Sequence, residues 1–207
     1  MKRVMLILGA LMLVTTSAHA TTILDLDDVL ALTDPTQLGR MSRNGVPSDW
    51  SVAKAFQGVI NTGITYHYKT YLVNPGVASF IQISEFDNFA GVFVSAYDTA
   101  YLPNSAGAPN FGFDTNYLGD AGFSGPFFPG DPQFFQVVVP AGHQFLVVVN
   151  DTLAANGSVG KSYHLTVEGF IDTEFTDPPA GPAVPEPATM LLAGTGLALL
   201  ARRRRTD

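Results

Sequence analysis

Three observations predict an all-β ectodomain built as an antiparallel β-sandwich. Short apolar–polar alternating runs recur from about residue 56, turn-rich connections separate them, and the 207-residue chain holds twenty glycines. Helical periodicity is scarce. A signal peptide is expected before the sandwich and a single transmembrane helix after it.

The N-terminus reads as an export signal. Met1-Lys2-Arg3 is basic, residues 4–16 are apolar, and Ala18-His19-Ala20 is a small-x-small cleavage site. Cleavage after Ala20 makes the Sec translocon and a signal peptidase the first partners. The ectodomain then spans residues 21–175, one domain's worth of chain and enough to bury a core. Residues 21–183 carry five bases and sixteen acids, a net charge of −11. Such a surface repels nucleic acid and anionic lipid. The chain has no cysteine, so packing rather than disulfides must hold an exported domain together.

Taken in order, residues 21–50 are the least regular. Leu24, Leu26, Val29 and Leu30 interleave with Asp25, Asp27 and Asp28, and either a short strand or a helical turn fits. The three aspartates form either a metal cluster or a solvated acidic edge. Arg40 to Pro47 reads as loop, with the turn pair Asn44-Gly45. Val52 to Ile60 is the best helix candidate, although it contains Gly58.

Residues 66–73 are aromatic and β-branched and end at the turn Asn74-Pro75-Gly76. Phe80 to Ser84 places Ile81 and Ile83 on one face. Ala90 to Tyr97 is apolar enough for a central strand. Residues 134–139 and 145–149 flank Pro140-Ala141-Gly142 and read as a hairpin. Ser162 to Glu168 alternates, with Tyr163, Leu165 and Val167 inward and His164, Thr166 and Glu168 outward.

Between Asp98 and Gln133 lies a long glycine-rich, polar stretch with seven aromatics, expected to be an ordered loop over the sandwich end. It holds the candidate calcium ligands Asp98, Asp114, Asn116 and Asp120, because a hard cation wants several oxygens on a loop that wraps tightly. Turn-forming Asn and Asp account for the same composition without metal. Trp50, Tyr101 and Tyr117 are the candidate sugar platform, or else rings that fill the sandwich edges. His67, His143 and His164 are scattered along the chain.

No nucleophile elbow, zinc-protease motif or phosphate loop occurs. A non-enzymatic protein is therefore expected. The enzymatic alternative is a glycan hydrolase using Asp114 and Asp120, which needs carboxyls about 5–9.5 Å apart in a cleft.

A Pro-rich linker, residues 176–184, leads to the C-terminus. There Val184-Pro185-Glu186-Pro187 precedes an uncharged run, residues 188–201, and the block Arg202-Arg203-Arg204-Arg205. As a helix the run is about 21 Å long, short of the ~30 Å hydrocarbon core, so spanning it needs flanking residues or local thinning. The arginines would stay cytoplasmic and hold the rest outside. Residues 184–205 resemble the PEP-CTERM sorting signal of Gram-negative bacteria.

That resemblance implies recognition by an exosortase, a membrane enzyme, at a signal made of Pro185, Glu186, Pro187 and the four arginines. It implies anchoring in the inner membrane through residues 188–201 before processing. Delivery to the cell surface or exopolysaccharide matrix follows. The strand–Pro-Ala-Gly–strand ending of the ectodomain is similar to jelly-roll-like pre-peptidase C-terminal and carbohydrate-binding sandwiches, which implies sugar or calcium binding as the alternative function.

Overall fold

Nine strands and no α-helix make up the described residues, 20–89, 91–125 and 133–171, of the computed structural model. They are β1 (Thr21–Val29), β2 (Thr36–Met41), β3 (Val59–Val73), β4 (Phe80–Asp87), β5 (Val92–Asp98), β6 (Tyr117–Asp120), β7 (Gln133–Val138), β8 (Phe145–Asp151) and β9 (Ser162–Phe170). One sheet has the order β1-β9-β4-β7 and the other β2-β3-β8-β5-β6. Every named pairing is antiparallel. With β2 set aside, the remaining eight strands wrap between the sheets as a jelly roll, the double Greek key of such sandwiches. The chain divides into two units, Met1–Phe175 and Thr176–Asp207. Ala18, the linker, the predicted span at 188–201 and the sorting tail lie outside the described residues, among which no helix is long and apolar enough to cross a membrane.

Period-two patterning sets the core. Ile81 and Ile83 of β4, Leu165 and Val167 of β9, and Val147 and Val149 of β8 are fully buried. Burial of side chains of this size contributes roughly 1.5–3 kcal/mol each. β5 is buried on both faces from Val92 to Tyr97, because loops cover the outside of the larger sheet. Between the sheets, Tyr71 of β3 and Tyr163 of β9 are joined through their hydroxyls. Tyr71 also donates to Asp28 Oδ2 at 2.7 Å, and Lys69 Nζ lies 2.7 Å from Asp28 Oδ1. Asp28 therefore points inward, while Asp25 and Asp27 stay exposed.

Four expectations change. The helix over residues 52–60 is absent: residues 53–58 form neither helix nor strand, and Val59 and Ile60 already belong to β3. Lys54, Phe56 and Gly58 face inward in alternation with exposed Ala53, Ala55 and Gln57. Gly58, at φ +91°, is in the left-handed region that a helix cannot use. Residues 134–149 are not a hairpin. β7 pairs with β4 and β8 with β3 and β5, so Pro140-Ala141-Gly142 crosses from one sheet to the other. The long stretch after Asp98 contains β6 as well as loop. Arg40 and Met41, expected in a loop, close strand β2. Of the two alternatives for residues 21–29, the strand is the one formed.

Side chains and short segments protect the sheet edges. Asn104 caps the free edge of β2, accepting from Leu38 N–H at 2.6 Å and donating to Thr36 O at 3.0 Å. Ser48 bridges two edges: its N–H donates to Asp120 O of β6, and its carbonyl accepts from Gln136 N–H of β7, both at 2.9 Å. Gly122 lies beside this bridge at φ +76°, and a Cβ there would sit 2.4 Å from the Val46 backbone. Gly122→Ala should cost about 2–4 kcal/mol, from the left-handed backbone and the clash together. Gly45, at φ +77° with open space around it, is the control; Gly45→Ala should cost about 1–2 kcal/mol. Thermal denaturation of the two variants separates these values.

Candidate functional site

The loop after β5 folds back over the outer face of the larger sheet and makes a second, aromatic layer. Tyr101 packs against Tyr97 at 4.6 Å between ring centroids, Tyr68 at 5.1 Å and Phe113 at 5.9 Å. Tyr117 packs against Phe56 at 5.4 Å and Tyr97 at 6.0 Å. The Tyr101 hydroxyl donates to Gln37 Oε1 at 2.6 Å. Burial pushes the Tyr101 phenol well above its ordinary range, and burial with the Asp120 carboxylate does the same at Tyr117. Trp50 stands in a different cluster, on the outer face of the smaller sheet, edge-on to Phe80 and Phe170 at 5.6 and 5.4 Å. Its indole N–H donates to Ile81 O at 3.1 Å. The structure thus sends Tyr101 and Tyr117 to one sheet and Trp50 to the other.

The four candidate calcium ligands also go to separate tasks. Asp98 ends β5 and pairs with His143. Asp114 accepts from Asn110 Nδ2 at 2.8 Å. Asn116 adopts φ +62°, and its side chain donates to Ala100 O at 3.2 Å. Asp120 is fully buried. Its Oδ1 meets Lys54 Nζ at 2.5 Å and Gly122 N–H at 2.6 Å, and its Oδ2 accepts from the Tyr117 hydroxyl. Among the described residues no group of three or more His, Cys, Asp or Glu side chains is arranged to hold a metal ion. Turn geometry and the Lys54 pair engage these groups. Asp114 and Asp120 likewise face different environments, one half-buried in a loop and one sealed beneath Lys54.

The three histidines are apart as well. His67 is buried, with Nδ1 3.1 Å from Asp34 O. His164 faces outward on β9, with Nδ1 2.9 Å from Asp27 Oδ1 and Nε2 3.3 Å from Asp25 Oδ1. The aspartate-rich strand β1 therefore has an outer face whose aspartates meet His164 and an inner contact made by Asp28.

A concave feature lies at one end of the larger sheet. It is an open cleft of about 510 Å³ lined by Leu72, Asn74, Thr99, Gly142, His143 and Gln144. Three turns build it. Gly142 N–H donates to Gly76 O at 2.6 Å, locking the turn after β3 to the turn before β8. Gly76 N–H donates to Asn74 Oδ1 at 3.0 Å. His143 Nε2 lies 2.6 Å from Asp98 Oδ1 at the end of β5. Thr99 follows at φ +53° within a γ-turn closed by Ala100 N–H on Asp98 O at 2.5 Å. A β-branched residue in that region is strained.

Asp98 and His143 stand 45 positions apart in the sequence, with nothing local to join them. No local pattern links positions 72, 99 and 144. They meet because β3, β5 and β8 are neighbours in the sheet. Among the described residues, a strongly perturbed carboxyl lies elsewhere. Glu85 of β4 is 1% exposed, and burial, then the Asp87 charge, push its pKa up to about 9.

An acidic, cysteine-free sandwich followed by a Pro-Glu-Pro, apolar and arginine tail has the layout of a sorted surface protein. Residues 183–205 match the PEP-CTERM protein-sorting motif, so the chain carries the signature of an exported protein sorted through an exosortase. No curated protein matches the chain.

Proposed function

We propose that the sandwich is a non-enzymatic protein of the cell surface or exopolysaccharide matrix, delivered there after the exosortase removes it from its membrane anchor. The sorting motif at residues 183–205 carries this reading. The Sec translocon and signal peptidase act first, at Ala18-His19-Ala20. Residues 188–201 then hold the chain in the inner membrane until processing.

The state of the acidic groups supports a structural role over hydrolysis. Asp120 is spent on Lys54, and the carboxyl with the raised pKa, Glu85, is sealed in the core rather than poised in a cleft. The net charge of −11 over residues 21–183 favours neutral matrix polymers over anionic ones.

The experiment replaces Pro185 and Pro187 with Ala in a host that carries an exosortase. The variant should remain uncut in the inner-membrane fraction, with surface protein reduced by about tenfold or more, a defect of processing rather than folding. Unchanged cleavage and surface delivery would remove the sorting reading. Wild-type protein should sediment with the matrix and be released when the polysaccharide is depolymerised. Protein that stays with the outer membrane after that treatment would remove the matrix reading.

A further inference from the structure

We propose that the cleft framed by Leu72, Thr99, His143 and Gln144 binds a residue of a neutral glycan. This rests on the matrix reading above and assigns it a site. Its volume, about 510 Å³, falls within the ~300–1,000 Å³ usual for small-ligand sites.

Its chemistry is two-sided in the way a sugar ring is. Leu72 is 61% exposed and offers an aliphatic surface to the C–H face of a pyranose. Asn74, Thr99 and Gln144 offer amide and hydroxyl groups that both donate and accept, matching sugar hydroxyls. Behind the lining, the Asp98 carboxylate lies 2.6 Å from Nε2 of His143. That charge and the acidic domain disfavour uronic acids and sulfated or phosphorylated sugars.

The frame is preorganised. The Gly142–Gly76 hydrogen bond fixes two turns, and the backbone hydrogen bond from Ala100 N–H to Asp98 O closes the third. Rigid placement lowers the ordering cost of binding a weakly held ligand. The strained Thr99 points the same way. It lines the cleft as a β-branched residue at φ +53°, whereas glycine or asparagine would close the same turn without strain.

The test uses protein recovered from the surface of the sorting host. Trisaccharides of glucose, galactose, mannose and N-acetylglucosamine, and a glucuronic acid trisaccharide, are titrated up to about 20 mM, with binding read by NMR shift changes. At least one neutral probe should bind, more tightly than the glucuronic acid trisaccharide. Gln144→Ala and Leu72→Asp should each weaken it by about tenfold with unaltered melting temperatures, since both side chains are exposed. Trp50→Ala, a change on the other sheet, should leave binding intact.

Saturation by no neutral probe, tighter binding of the anionic one, or binding that survives both cleft substitutions overturns the cleft. Wild-type protein that sediments with the matrix yet binds no probe overturns the cleft alone and leaves the matrix reading standing. Probe binding by protein that does not sediment with the matrix upholds the cleft and overturns the matrix reading.

Discussion

Asp120→Ala is expected to destabilise the sandwich by about 3–5 kcal/mol, the cost of stripping one partner from a buried ion pair. The Asp120 side chain is 0% exposed and that of Lys54 8%, at a separation of 2.5 Å. Removing the carboxylate leaves a part-buried ammonium on the Val46 carbonyl, also at 2.5 Å. It also orphans the Gly122 N–H and removes the acceptor of the Tyr117 hydroxyl. The damage falls where Ser48 ties β6 to β7, so the edge of both sheets should loosen together. Asp120→Asn keeps the shape and removes the charge, and should fall between the two.

A cycle with Lys54→Met isolates the pair. Once Lys54 is gone, Asp120→Asn should cost about 1–3 kcal/mol less than it does alone, because contacting residues are not additive. Denaturant midpoints of the four proteins decide it. If Asp120→Ala stays within about 1 kcal/mol of wild type, the pair is a surface contact in solution.

The same residues mark what was and was not legible in the sequence. Strands β4 and β9 announced themselves, because alternation such as Ile81-x-Ile83 and Tyr163-x-Leu165-x-Val167 reflects one buried and one open face. β5 did so by being apolar throughout. β6 escaped because its four residues, Tyr-Leu-Gly-Asp, are too few for a period and include a glycine. The β7–β8 connection has the composition of a hairpin turn, and composition carries no information on which sheet each strand joins. Its true role follows from pairings to β4, β3 and β5, which lie far away in sequence. Lys54 is hard to see because the apolar spacing of residues 52–60 also fits a helix. Its inward direction is visible only once the alternation of Lys54, Phe56 and Gly58 is recognised. The sorting tail was fully legible, since it is a linear signal. The cleft was not, being assembled from three turns.

Glu85 continues the inward parity of Ile81 and Ile83, so alternation alone puts a carboxyl in the core, and its consequence is a stability that falls as pH rises. In the folded protein its pKa is about 9, against 4.5 for the free group. Burial is the larger cause and the negative Asp87 the second. Oε2 accepts from Gln133 Nε2 at 2.7 Å, while Oε1 has no partner, an arrangement suited to the neutral acid. Between pH 4.5 and 9 the folded state keeps a proton that the unfolded chain releases, so the folded state binds more protons and raising the pH favours unfolding. Below about pH 4.5 both states are protonated and the penalty vanishes. Glu85→Gln preserves a neutral planar side chain with no proton to lose. The variant should match wild type near pH 4.5 and exceed it by about 3 kcal/mol at pH 7, with the gap still widening toward pH 9. Urea midpoints measured for both proteins across that window test it, and all other ionisable groups cancel in the difference. A difference that stays flat with pH would mean that Glu85 is ionised in the folded protein, in which case the Gln133 amide and an additional donor must be compensating it.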